Sequence, residues 1–274
     1  ELNRSFDMDL GAMDILQYVD FAARRIADTA AEAWNSRQFG SVAYGLGQVV
    51  AGSNRRWVDD QGAAHMRGVL RGDKIDTFRH IEGYEDHSMN LAATYNSEGE
   101  LTGLIINVSS TAQFSESLFV ISADWWHETR ILLREKYGND IFILPQCSAA
   151  GEITPFYYEK DANNRMMRLK GRTAREEFAR RIVRAIEEVV PYIAKEADSA
   201  PVLKHQVDLL DVPANKLTEE HVESAKRDAD YWKKEYEQEL KKLEENPQLR
   251  KEQRWYINFP NQAFLRFPAL ARIL

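Results

Sequence analysis

SADWWHETRILLREKYGNDIFILPQCSAAGEITP, residues 122–155, is the stretch that decides the fold. Ser122 has the side chain of a helix N-cap, and Trp125, Ile131, Leu132 and Leu133 supply apolar surface through about Lys136, before Gly138 stops the helix. Ile141–Leu144 is then a short run without a polar residue, ended by Pro145, as in a strand covered on both faces. Small side chains dominate the turn that follows, from Gln146 to Gly151. A helix, a short apolar strand and a small-residue turn in that order suit an α/β fold, a mixed sheet layered with helices.

Working outward, apolar residues Ile15, Val19, Ala22, Ile26, Ala30 and Ala33 recur at helical spacing between Asp14 and Trp34, the pattern of an amphipathic helix. Ser41–Val50, punctuated by Gly45 and Gly47, reads as a strand, and residues 59–80 as irregular connection. Met89–Tyr95 and Leu101–Val108 flank Asn96-Ser97-Glu98-Gly99, whose residues accept the positive φ of a hairpin turn, so two adjacent antiparallel strands are expected. Thr173 and Glu176 make a capping box that opens a helix using Phe178, Ile182, Ile186 and Val189, with Pro191 expected to kink or end it. Leu203, His205, Val207 and Leu209 alternate with polar neighbours as a half-exposed strand does. A long charged C-terminal helix is expected from Thr218 to Glu245, with a thin apolar stripe of Val222, Tyr231, Tyr236, Leu240 and Leu243. The organisation expected is one α/β domain over residues 1–200, and then 201–274 as a strand, the charged helix and an incomplete terminal segment.

Of the 274 residues 44% are hydrophobic and 29% charged, a globular composition with no apolar run of the roughly 18 residues a membrane span needs. The formal charge of −7 offers a nucleic acid no basic face. One cysteine, Cys147, excludes an internal disulfide framework and a cysteine-rich zinc site. The chain starts at Glu1 rather than Met, consistent with a removed leader or with a piece of a longer protein. Oligomeric state is open at this level.

No Walker loop, GxGxxG, HExxH or GxSxG is present; His127-Glu128 starts like a zinc-protease pair, but Ile131 stands at the fifth position. The densest polar constellation lies in three loops: Gly52–Arg56, Glu82–Ser88, and Pro145–Pro155. In layered α/β folds ligands gather beyond the carboxyl ends of strands, where the third loop belongs. Its small residues let backbone approach a ligand and leave amide hydrogens free for an oxyanion. A tight connection that merely needs small residues would read the same way.

Asn107-Val108-Ser109-Ser110, Ile121-Ser122-Ala123-Asp124 and Leu144–Pro155 together resemble the central part of the neutral/alkaline (non-lysosomal) ceramidase family, and Asn54-Arg55 is similar to that family's Asn-Arg-Ser-Pro loop. The likeness runs in order from about residue 13 to about 156, more weakly to about 215. It implies a zinc-dependent amidase that cleaves the N-acyl bond of a sphingoid lipid. The family's Gly-Asp-Val-Ser-Pro-Asn hexapeptide, which carries a serine regarded as catalytic, matches Gly151-Glu152-Ile153-Thr154-Pro155-Phe156. Thr154 then stands for the serine, with a methyl that restricts χ1, and Glu152 for the acid. The resemblance implies zinc, yet a family histidine ligand falls at Ser109 or Ser110, a poor ligand. The other ligands have no recognisable counterpart, and Trp255–Leu274 departs from the family pattern.

On this reading Thr154, Gly151 and Glu152 are the expected catalytic residues, with Gly151 contributing amide donors, and Asn54, Arg55, Gln146 and His87 are the expected substrate-binding residues. The expected activity is ceramidase-like hydrolysis of ceramide or another N-acyl lipid. The rival is a catalytically degenerate member that binds a lipid or glycan or serves assembly. Family relatives that are exported, with the missing initiator Met, point to a secreted or periplasmic protein.

Overall fold

The computed structural model describes residues 13–66, 76–116, 118, 120–156, 160–214 and 216–251. They fall into two compact units, one of residues 37–204 and one of the segments on either side of it. The helices are α1 (Ile15–Asn35), α2 (Trp125–Tyr137), α3 (Lys160–Lys170), α4 (Ala174–Ile193) and α5 (Glu219–Glu245). The strands are β1 (Gly40–Gln48), β2 (Ser53–Asn54), β3 (Arg56–Asp59), β4 (Ala64–Met66), β5 (Phe78–Ile81), β6 (Ser88–Asn96), β7 (Leu101–Val108), β8 (Phe142–Cys147) and β9 (Ile153–Thr154).

Residues 37–204 are built on a mixed sheet of order β1-β6-β7-β8, antiparallel except for the parallel β7–β8 pair. The expected hairpin is β6–β7, and Gly99 takes the left-handed φ of 81° in its turn. Alternation puts Met89, Leu91, Ala93 and Tyr95 of β6 on one face with Leu104, Ile106 and Val108 of β7. Trp125 and Leu133 of α2 and Phe178, Ile182, Ile186 and Val190 of α4 close over that face. Each such side chain removed from water contributes about 1.5–3 kcal/mol. The glycines of β1 set how near α4 comes: a Cβ on Gly45 would stand 2.5 Å from Val189 Cγ1 and 2.8 Å from Ile193 Cγ2.

Several local expectations shift. β8 is covered on one face only, with Phe142 80% exposed and Leu144 53%, because among the described residues of this unit α2 and α4 pack on the opposite face of the sheet. The cap of α2 is Asp124 rather than Ser122: Asp124 Oδ1 accepts from the Trp125 amide at 2.8 Å and Oδ2 from the Ser115 amide at 2.6 Å. Ser122 supports the cap instead, its hydroxyl accepting from the Asp124 amide at 3.0 Å. Thr173 and Glu176 form the capping box as read, but α4 passes Pro191 and ends at Ile193. Within 59–80, read as irregular, β3 pairs with both β4 and β5, and Trp57 stacks on His65 with ring centroids 4.4 Å apart. Residues 67–75 of that stretch lie outside the described residues.

In the other unit, Asp14 caps α1 by accepting from the Leu16 amide at 2.9 Å, and no residue of α1 is buried. The charged helix α5 is capped by Thr218 and buries Ala229, Trp232, Glu239 and Leu243, so Trp232 and Leu243, rather than the whole anticipated stripe, form its covered face. The strand expected at Leu203–Leu209 is absent: the segment pairs with nothing among the described residues, and Leu203 and Leu209 are 96% and 98% exposed. Alternation prepares a strand, but only a neighbouring edge makes one. No described helix is long and apolar enough to cross a membrane.

Candidate active site

The three polar loops meet at one end of the mixed sheet. β7 and β8 are parallel, so Ser109-Ser110 and Cys147-Ser148 leave the sheet side by side, and the Ser148 amide donates to Val108 O at 3.1 Å. The turn after β8 leads into β9, which pairs antiparallel with β2, opposing Ser53 to Thr154 and Asn54 to Ile153. Residues 52–56 and 151–155, nearly a hundred positions apart, are thereby joined directly. The Glu82–Ser88 loop joins through Glu85, whose Oε1 accepts from the Asn54 amide at 2.9 Å, and through the Glu82 amide, which donates to Arg56 O at 3.0 Å.

Asn54 is buried and its Oδ1 accepts from the Arg56 amide at 2.9 Å, a local turn that fixes the loop. Arg55 grips the opposite segment twice: its amide donates to Glu152 O and its Nη2 to Gly151 O, each at 2.7 Å. Arg55 Nε is enclosed and has no partner among the described residues. Arg56 pairs with Glu82 through both carboxylate oxygens. The hydrogen bond to Glu82 raises the Arg56 pKa, with a smaller contribution from the Glu152 charge, while the bond to Arg56 holds Glu82 below the usual carboxylate range.

Four consecutive carbonyls of the turn are occupied. Ala149 O accepts from Ser109 Oγ at 2.7 Å, Ala150 O from the Ile153 amide at 3.2 Å, and Gly151 O and Glu152 O from Arg55. In a planar trans peptide the N–H points opposite to the preceding carbonyl. The amides of Gly151 and Glu152 are therefore turned away from these anchors, and among the described residues neither has a hydrogen-bonded acceptor. Gly151 is exposed, and a Cβ placed on it would meet nothing within 4 Å. Outward amides on an open turn can hold an anion.

Thr154 is 8% exposed, and its hydroxyl accepts from the Phe156 amide at 3.4 Å. Glu152 is half-buried and lies in the turn immediately before β9, two residues ahead of Thr154. Gln146 is exposed on β8, where its Oε1 accepts from Asn107 Nδ2 at 3.5 Å. His87 is half-buried, and its carbonyl accepts from the Val49 amide at 2.8 Å. Thus Asn54, Arg55, Gly151, Glu152 and Thr154 are brought together, whereas no hydrogen bond between described residues ties Gln146 or His87 to the 151–154 segment. Phe114 and Ser53 escaped the sequence reading. Phe114 packs edge-on against both Phe156, at 5.2 Å, and Phe178, at 5.7 Å, anchoring the far end of the site segment in the core. The signal for Ser53 was its place inside the polar loop.

The residues present do not fit the zinc that the ceramidase resemblance implies. Ser109 and Ser110 are 3% and 1% exposed, and their hydroxyls donate to Ala149 O and Thr111 O. Among the described residues no group of three or more His, Cys, Asp or Glu side chains is placed to hold a metal ion.

Among solved structures the chain is similar to one described as "Ceramidase complexed with C2", at 18% identity and a TM-score of 0.39, covering 58% of this chain and 23% of that one. It is also similar to neutral ceramidase from Pseudomonas aeruginosa, at 17% identity and a TM-score of 0.40, covering 58% of this chain and 24% of that one. The chain spans about a quarter of the length of these ceramidases. No family model and no curated protein matches it.

Proposed function

We propose that this chain is the ceramidase-like part of a hydrolase that cleaves the N-acyl amide bond of ceramide or a related lipid. The observation that carries the reading is the β2–β9 pairing, which sets Asn54-Arg55 against Gly151–Thr154, the segments on which the sequence resemblance rests. The amide carbonyl of the substrate lies over the turn, and the Gly151 and Glu152 amides hold the charge that develops on its oxygen. In this reading the Thr154 hydroxyl stands beside the reacting carbon, and Glu152, the carboxylate of the same segment, takes the proton. Asn54 and Arg55 shape and hold the loop against which the substrate is positioned. Hydrolysis breaks the acyl C–N bond, leaving a carboxylate and a free amine. No step is routed through a metal.

A second reading, a non-catalytic protein that binds a lipid or glycan or serves assembly, is favoured by one observation. The hydrogen bond formed by the Thr154 hydroxyl is to a backbone amide, and no base is bonded to it among the described residues. Incubation of the purified chain with a fluorescent N-acyl-sphingosine separates the two. Turnover that disappears in Thr154→Ala and falls by about 100-fold in Glu152→Gln, both variants melting like the parent, supports hydrolysis. Lipid binding without turnover selects the second reading, and neither binding nor turnover overturns both.

A further inference from the structure

The turn after β8 is held by three kinds of anchor: backbone amides, the Arg55 guanidinium, and a single buried hydroxyl. Ser109 Oγ reaches across from the end of β7 to Ala149 O, 40 positions away in sequence, at 2.7 Å. Its neighbour Ser110 is equally buried but donates to Thr111 O at 3.5 Å, within its own loop. The two serines differ in what they hold, although both lie where the ceramidase resemblance puts a metal ligand.

The Ala149 carbonyl is the first of the four occupied carbonyls, and it sits at the turn's entry. Removing its donor leaves an oxygen without a partner beside the buried Ser109 site, an unfavourable state that the turn relieves by rotating the peptide toward water. That rotation begins immediately before the two outward amides. The other anchors act later in the turn or before it: Ile153 N on Ala150 O, Arg55 on Gly151 O and Glu152 O, and Ser148 N on Val108 O.

We infer that Ser109 is the positioning residue of the anion-holding turn, and that this hydroxyl, not a metal ion, organises the site at the place where the resemblance puts a metal ligand. The inference rests on the hydrolase reading for its catalytic consequence, but not for its structural one. Ser109 touches no substrate atom; it holds the 149–150 peptide at the turn's entry, next to the two peptides that carry the Gly151 and Glu152 amides and whose carbonyls are held by Ile153 N and Arg55.

The test compares Ser109→Ala with Ser110→Ala, two deletions of matched size and burial. In amide hydrogen exchange of the whole chain, Ser109→Ala speeds exchange at Ser148, Ile153 and Arg55 by about tenfold, while Ser110→Ala leaves these amides unchanged. Equal exchange in the two variants overturns the clamp, whether or not the chain is an enzyme. In the N-acyl-sphingosine assay Ser109→Ala lowers kcat by about tenfold with KM unchanged, and Ser110→Ala alters neither; a change confined to KM overturns the positioning role. Elemental analysis of the native protein finds no stoichiometric zinc, and a chelator leaves the exchange pattern unaltered. One tightly held zinc per chain, with exchange at Ala149–Ile153 rising on its removal, overturns the assignment to Ser109. Absence of turnover in the wild type defeats the hydrolase reading alone, because the exchange and metal measurements still decide the clamp.

Discussion

Gly52→Ala is the substitution that most directly loads the junction between the two halves of the candidate site. A Cβ at Gly52 would lie 2.5 Å from Ile153 Cγ2, 3.1 Å from Ser109 O and 3.3 Å from Ser110 Oγ. Carbon atoms rest at about 3.5–4.0 Å, so roughly 1 Å of separation has to be found. It cannot come from a flexible side-chain end. Ile153 is buried and β-branched, stiff at χ1, and the second contact is backbone. The relief is to slide β9 away from β2, which strains the Arg55–Glu152 and Ser109–Ala149 bonds together. Overpacking of this kind costs about 1–3 kcal/mol, against which the loss of chain entropy in the unfolded state returns about 0.4–1 kcal/mol. The net loss is up to about 2.6 kcal/mol, which for a unit of this size lowers Tm by up to about 10 °C. Gly151→Ala is the internal control: its Cβ meets nothing within 4 Å and its φ is not left-handed, so its melting point stays within about 1–2 °C of the parent. Thermal unfolding followed by circular dichroism reads both. A Gly52→Ala variant that melts with the parent refutes the packing argument, and with it the claim that these two loops are held in one fixed register.

Two further outcomes follow from the core and its rim. Leu133 is fully buried against the sheet, so Leu133→Ala loses about 2–5 kcal/mol in chemical denaturation, and a loss below 1 kcal/mol would mean that the face is not closed as described. Burial pushes the Glu177 pKa up, but hydrogen bonds from Lys170 and Arg172 outweigh this and hold it below its ordinary value of 4.5. A depressed carboxylate stabilises above the unfolded-state pKa, and the contribution is lost as pH falls through the folded-state value. Stability of the wild type therefore drops on acidification from about pH 5 downward; Glu177→Gln is less stable at pH 7 and shows a shallower drop, and parallel profiles for the two proteins contradict the assignment.

What was legible in the sequence was local. Asn96–Gly99 names its own turn because the positive φ at Gly99 and the flanking alternation act within a dozen residues. Thr173 and Glu176 announce α4 because a capping box closes within one turn. The readings that shifted all depended on a distant neighbour. Nothing in Ile141–Leu144 says that β8 lies at the edge of the sheet, and nothing in Leu203–Leu209 says that no strand lies beside it. Asp124 outcompetes Ser122 as the cap since its second carboxylate oxygen is claimed by Ser115, a contact the helix alone does not reveal. Within the site, the composition of the three loops marked the region, and the resemblance picked out Asn54, Arg55 and Gly151–Thr154. Ser53, Glu85 and Ser109 lay within the named loops and motifs, but what they hold was not legible, and Phe114 was not marked at all, because each acts across the fold.

The site segment departs from the ceramidase hexapeptide in side chains, yet the features that place it are mostly backbone. Carbonyls 149–152 are held by Ser109, Arg55 and the turn itself, and the Glu152 side chain takes no part in those bonds. Ile153 is buried against Gly52, while Phe156, 44% exposed, packs edge-on against Phe114. Thr154 lies between them and cannot move independently of either. The side chains at 152–156 therefore bear on the chemistry available at the turn far more than on its placement. A hydroxyl fixed in position is only half of a nucleophile, and the other half is a group that accepts its proton. Glu152 is the one carboxylate on the segment itself, and the neighbouring Arg56 is paired with Glu82.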